Sequence, residues 1–240
     1  MDDPVKTGPG RQERKALATR RRVLDAAERL FIRDGYATTT IAAVAEAADV
    51  AVQTVYAIFG NKRAILAQLL QVRVVGDDQA IPRRDRADWQ AREREPDPPL
   101  RSVLSMSRTF GADWQAMERE PEPRRQLALL AAIATRIGSR IAALYAVMAA
   151  AAGSDPEIAA LYQHQQQARY QDQRRLAQSL ARKGALRADL SEDYATDILW
   201  TLANPHTYRA LVSERQWAAD EYERWLAHVL ACALLPEPSP

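Results

Sequence analysis

Apolar residues recur at helical spacing along most of the chain. Val23, Ala26, Ala27, Leu30 and Phe31 fall at i, i+3, i+4, i+7 and i+8, which predicts an amphipathic helix with one buried stripe. Gly35 stands just past that stripe, where a left-handed C-cap favours a residue without Cβ. Thr38, Thr39 and Thr40 follow, and a threonine there can cap the next helix. Ile41, Val44, Ala45 and Ala48 mark a short second helix, and Val52, Val55, Tyr56 and Phe59 a third. Only residues 48–51, around Asp49, separate the two. Gly60 and Asn61 break the chain before a fourth helix bearing Ile65, Leu66, Leu69 and Leu70. Residues 76–99 lose the period, are polar and charged, and hold Pro82, Pro96, Pro98 and Pro99, so a linker is expected. Helical composition returns over residues 124–152, 157–183, 192–214 and 220–235, with stops at Gly153 and Gly184. Pro205, after Asn204, is expected to kink its helix. No segment shows strand alternation. The pattern predicts an all-α fold: a loose tail over 1–14, a helical unit over 15–75 that includes a linking fourth helix, a helical bundle over 76–235, and a tail over 236–240.

One repeat interrupts this order. ADWQAREREPDP at residues 87–98 recurs as ADWQAMEREPEP at 112–123, offset by 25 residues and differing at two positions. Two copies are too few for a solenoid. They read as two short amphipathic helices, each ended by proline; alternatively Trp89 and Trp114 offer matching aromatic walls to a ligand.

Composition narrows the function classes. At 47% hydrophobic and 27% charged, 240 residues carry enough apolar surface to exclude a wholly disordered chain. Cys232 is the only cysteine, which excludes an intramolecular disulfide and a cysteine-based zinc site and fits a reducing compartment. The longest uncharged run, residues 141–154, is shorter than the ~20 residues of a membrane span, so it is expected to be a buried helix and no membrane partner is expected. MDDPVKTGPG has no apolar core, so no signal peptide is expected, and a cytoplasmic location follows.

The net charge of +2 is unevenly placed. Residues 1–75 hold twelve basic and eight acidic residues (+4), leaving −2 for the rest. Six of the twelve lie within residues 11–22, against Glu13 alone. A basic end on a slightly acidic body suits a polyanion, or is a solvated face. His164, His206 and His228 are too widely spaced for an HExxH metal pair, and no glycine-rich phosphate loop is present. No catalytic set, metal or cofactor is expected, and an enzyme stands only as an alternative.

Short helices with a tight turn between the second and third make a helix-turn-helix, whose second member lies in the major groove of double-stranded DNA. Its leading edge here is Val52, Gln53 and Thr54, ahead of the inward Val55 and Phe59. Gln53 can pair bidentately with adenine, Thr54 can bond a base or phosphate, and Val52 can pack on a thymine methyl. Thr39 or Thr40 sits at a helix N-terminus, which favours a phosphate, or is simply a cap. Lys62 opens the fourth helix and can take another phosphate. Tyr56 can pack its ring while its hydroxyl reaches the DNA backbone, or be half-buried core.

These residues carry a resemblance. RRRVLDAAERLFIRDGYATTTIAAVAEAADVAVQTVYAIFGNKRAILAQLL, residues 20–70, resembles the DNA-binding domain of the TetR (tetracycline-repressor-like) family of bacterial transcriptional regulators. The specific matches are AAERLF, GY before the threonines, VAVQTVYAIFGNK and RAILAQLL. More loosely, DPEIAALY, GALRADLS, DILWTLANPHTYRALVSERQW and YERWLAHVL look like ligand-domain helices of one branch. The resemblance implies an all-α homodimer whose N-terminal helix-turn-helix domain reads DNA while a C-terminal bundle binds a small-molecule effector and supplies the dimer interface. It implies phosphate contacts at Thr40 and Lys62, a backbone contact at Tyr56, and base-side positions at Val52, Gln53 and Thr54. The chain is accordingly expected to repress, binding a pseudo-palindromic operator and letting go when a small apolar effector binds, although activation by ligand would use the same lever in reverse. The alternative is an interaction module of the same fold without DNA binding. Ala51 stands where the family often has serine, so the third helix is expected to be weakly capped, and Ala42 stands where it often has arginine.

In the bundle, two readings stay open. Tyr145, Met148, Tyr162 and Trp200 either line an apolar cavity, with Asn204 and His164 as polar anchors, or belong to ordinary core. Trp200, Tyr208, Tyr222 and Trp225 suit core or a dimer surface on the last two long helices. Gln163, Gln165, Gln166 and Gln167 read as a solvated face.

Overall fold

The structure, a computed structural model, describes residues 11–75 and 111–237. The expected linker, the first copy of the repeat with Trp89, and the chain ends lie outside the described residues. Among the described residues ten α-helices run in order: α1 Arg11–Asp34, α2 Ile41–Ala47, α3 Val52–Phe59, α4 Lys62–Val75, α5 Gly111–Arg119, α6 Pro123–Ala151, α7 Pro156–Arg182, α8 Glu192–Leu202, α9 Pro205–Tyr208 and α10 Ala219–Leu234. A π-helical turn, Arg209–Glu214, continues α9. No strand occurs among the described residues. The all-α expectation holds, with two corrections of detail. Helix α1 begins at Arg11, inside the expected tail. Pro205 does not kink a helix: α8 ends at Leu202, Asn204 accepts from His206 N (2.9 Å), and Pro205 opens α9 at a position whose N–H would be unpaired anyway.

Local chemistry sets the other boundaries. Gly35 takes φ +87° to end α1. The Thr40 hydroxyl caps α2 by accepting from Ala43 N (3.1 Å). Pro123 and Pro156 each stand at a first helical position, behind caps from Glu122 and Asp155.

The N-terminal unit closes on Val23, Ala27 and Phe31 of α1, Val44 of α2, Val55 and Phe59 of α3 and Leu66 of α4, all fully buried. The body is built around α6. That helix is long and apolar enough by composition to cross a bilayer, but it is the centre of the body, packed against α4, α5, α7, α9 and α10. Gly138 lets α9 approach it closely: a methyl there would fall within 2.8 Å of Tyr208 Cβ and nearer to two ring carbons. The second repeat copy is α5, ending before Pro121 as expected. Its Trp114 is core, with Nε1 donating to Glu118 (2.9 Å), so it offers no aromatic wall. Tyr208 and Tyr222 are likewise core.

The unit docks on the body through α1 and α4 against α6, and Arg63 pairs with Glu157 of α7 (3.2 Å). Within the unit, Arg73 near the end of α4 is held by Asp25 (2.8 Å) and Glu28 of α1.

Candidate functional site

Helices α2 and α3 meet at 109°, within the range of a helix-turn-helix. The turn between them holds Asp49 in the left-handed region at φ 53°, and Val50 N donates to Ala45 O (3.0 Å). Val55 and Phe59 pin α3 inward. Arg20 braces it: its guanidinium stacks over Phe59 (5.3 Å) and donates to Gln68 Oε1 (2.7 Å), so this member of the basic run is a structural tie. The opposite face of α3 carries Gln53 and Tyr56 into solvent, Tyr56 at 52% exposure, which removes the half-buried alternative. Val52 and Thr54 flank Gln53, each half-buried. Ala51 caps α3 with no side-chain bond, as expected.

Two expected phosphate residues sit differently. Thr39 is buried and donates its hydroxyl to Gly35 O (2.8 Å), whereas Thr40 is exposed at the start of α2. Lys62 folds back: its ammonium donates to the carbonyls of Tyr36 (2.8 Å) and Thr39 (2.9 Å) and lies over the Tyr36 ring (4.3 Å). Burial there lowers its pKa. It stitches α4 to the α1–α2 loop, and a phosphate has to compete for those donors. The remaining charge is partly self-neutralised, since Arg22 approaches Asp49 (3.9 Å) and Arg33 pairs with Asp34 (2.7 Å).

In the body, some of the expected pocket residues converge. Tyr145 donates to Gln166 Oε1 (2.5 Å), and Gln166 Nε2 donates to Tyr162 (3.0 Å). The Tyr145 ring meets His206 edge-on at 5.0 Å. Burial pushes the Tyr145 hydroxyl up to about 12 and, with Arg209 and Arg169 nearby, lowers the His206 pKa. Trp200 joins through Arg169, which donates to its carbonyl (2.7 Å) and stacks on its ring (5.5 Å). Met148 is fully buried, which fits the core reading left open for it, Asn204 uses its side chain to cap α9, and His164 is half-buried on α7. The glutamine run is not a solvated face throughout, because Gln165 is 3% exposed. Separately, an open cleft of about 520 Å³ lies between the unit and the body, bordered by Tyr36, Val147 and Arg209.

Residues 23–69 match the model of the bacterial regulatory proteins, tetR family. Over this segment the chain is similar to the DNA-binding domain of the TetR family. No curated protein matches it in sequence. Solved structures of like fold extend over nearly the whole length. SmeT in complex with triclosan is 18% identical with a TM-score of 0.63, over 93% of this chain and 99% of that one. A transcriptional regulator of Saccharomonospora viridis in complex with choline is 18% identical (TM-score 0.60; 91% and 98%). FadR of Bacillus subtilis in complex with stearoyl-CoA is 16% identical (TM-score 0.60; 89% and 98%). At these identities the likeness is one of fold.

The matched TetR segment runs from Val23 in α1 to Leu69 in α4, so it takes in the whole helix-turn-helix. The family is one of transcriptional regulators and not of enzymes. Sequence reasoning assigned Gln166 and His206 no part in the network of the body and did not mark Arg169 at all. The one available signal was the polar run QHQQQAR inside an otherwise apolar bundle.

Proposed function

We propose that the chain is a ligand-released repressor that binds a pseudo-palindromic operator as a homodimer in the cytoplasm. The observation that carries this reading is the free outer face of α3. Gln53 and Tyr56 stand in solvent while Val55 and Phe59 lock the helix from behind. A rigid rod with an unclaimed polar edge suits the major groove. Gln53 reads a base, Val52 and Thr54 flank it, Tyr56 contacts the backbone, and Thr40 meets a phosphate at the start of α2. Lys62 adds a further phosphate contact when a DNA phosphate displaces the carbonyls that its ammonium now serves. Two copies present their α3 helices about one DNA turn, ~34–36 Å, apart.

The Tyr145–Tyr162–Trp200 cluster is the effector region. Structures of like fold solved with triclosan, choline and stearoyl-CoA support a ligand-responsive body. Helix α4 is the link, since it packs against both α1 and α6. An effector that prefers one tilt of α4 changes operator affinity through that preference, typically by ~1–3 kcal/mol.

The test is a duplex selected from a random library and titrated by anisotropy. Gln53→Ala should weaken binding by roughly tenfold or more and relax preference at one base pair in each half-site. Unchanged affinity and unchanged preference would overturn the reading.

A further inference from the structure

Arg169 is 2% exposed in the middle of the body, and no carboxylate among the described residues pairs with it. Its NH1 donates to Gln166 Oε1 (2.9 Å), and its NH2 donates to the carbonyl of Trp200 (2.7 Å). The Trp200 and Ala203 carbonyls lie at the end of α8, where the helix dipole favours a cation. That contact holds the guanidinium in place without cancelling its charge. Among the described residues the buried Nε–H has no hydrogen-bond partner, and neither has the buried Gln165 Oε1 one turn earlier. Both residues line one small cavity of about 20 Å³, whose other walls include Val74, Ile137, Ile141 and Pro205. A positive charge, an unclaimed donor and a carboxamide therefore share an otherwise apolar hole. A half-turn of the Gln165 amide presents a second donor to it. His206 does not supply the missing anion, and its own protonation is disfavoured there.

Resting on the ligand-response reading above, we propose that this cavity seats the head group of a carboxylate effector: a monocarboxylic acid with a compact apolar tail. The carboxylate pairs with Arg169 and takes a hydrogen bond from Gln165, while the tail lies along Ile137, Ile141 and Val74. Such a volume holds about one solvent-sized group, so the tail enters only as its walls give way. Val74 is the wall on α4, and its neighbour Arg73 grips Asp25 and Glu28 of α1. Displacing Val74 therefore pulls on the DNA-reading unit.

The experiment uses the full chain, with hexanoate and benzoate as probes, hexanamide and benzamide as neutral isosteres, and hexylamine as the opposite charge. Binding is read by calorimetry and thermal shift, and duplex release by anisotropy. At least one acid should raise the melting temperature and bind about tenfold or more tightly than its amide, as expected for a charge-assisted pair. Arg169→Gln should erase that preference. Gln165→Leu should weaken the acid while raising the melting temperature of the unliganded protein, because it removes an unpaired buried acceptor. Amides binding as well as acids, no binding by either acid, or an unchanged preference in Arg169→Gln would overturn the proposal. If Arg169→Gln does not fold, the acid-against-amide comparison on the unaltered chain decides. Acid binding by a chain that binds no duplex supports this site and sinks the regulator reading. Duplex release by hexylamine but by neither acid sinks this site alone.

Discussion

Ala51 precedes α3 with the extended backbone of an N-cap (φ −67°, ψ 144°) but has no oxygen to offer the free N–H groups of the first turn. Ala51→Ser supplies one without moving the chain. It should stabilise the protein by about 1 kcal/mol, seen as a higher urea midpoint with an unchanged slope. His206 makes a pH prediction. Burial, Arg209 and Arg169 lower its pKa below the ordinary 6.5, so the folded protein binds this proton less readily than the unfolded chain. Its contribution to stability is therefore complete above about pH 6.5 and is lost as pH falls from there through the depressed folded value. In thermal melts between pH 7.5 and 5, His206→Gln should lose less on acidification than the unaltered protein. Equal losses would show that His206 does not carry the effect. Lys62 depends on partners that lie far away in sequence. Its position at the head of α4 was visible in the sequence, but its partners, the carbonyls of Tyr36 and Thr39, belong to a loop 23–26 residues earlier.

At the scale of elements, the helices that do the reading are too short to stand alone. An isolated helix below about 12–15 residues is marginal in water, and α2 and α3 fall under that, so Val44, Val55 and Phe59 hold them by packing. Those three positions were legible because helical periodicity places them on one face. The close approach of α9 to α6 was not, since a glycine inside an apolar helix reads only as a weak helix former. Gly138→Ala tests it. Helix propensity alone gains ~1 kcal/mol, whereas driving a methyl into Tyr208 costs roughly 1–3 kcal/mol. The expected outcome is a net loss of stability in a urea melt; a net gain would mean that Tyr208 moves aside freely. The break at 203–204 was misread as a kink for a related reason. Asn-Pro signals an ending and a new start equally well, and the hydrogen bond from His206 N to Asn204 settles which.

Across the whole molecule, Arg73 connects residues 45–48 apart in sequence, binding α4 to α1 at the point where the body begins to bear on α4. Arg73→Met should leave the fold intact, lower stability by about 1–3 kcal/mol, and speed hydrogen exchange in the second half of α1 more than in α10. Uniform acceleration would mean that the two units open together and that the tie is not local.

The sequence by itself settled what depends on near neighbours: most of the helices, the turn residues at Gly35 and Thr40, the sharp turn around Asp49, and the family resemblance over residues 20–70. Those features are decided within one or two turns of chain, where 3.6-residue periodicity and side-chain-to-backbone bonds operate. Tertiary structure alone decided which polar groups are swallowed. Gln165 and Arg169 sit in a run that looks solvated, yet Arg169 meets the carbonyls of Trp200 and Ala203, 31 and 34 residues onward. Burying a charge is tolerable only where distant groups converge to hold it, and no local pattern records that convergence.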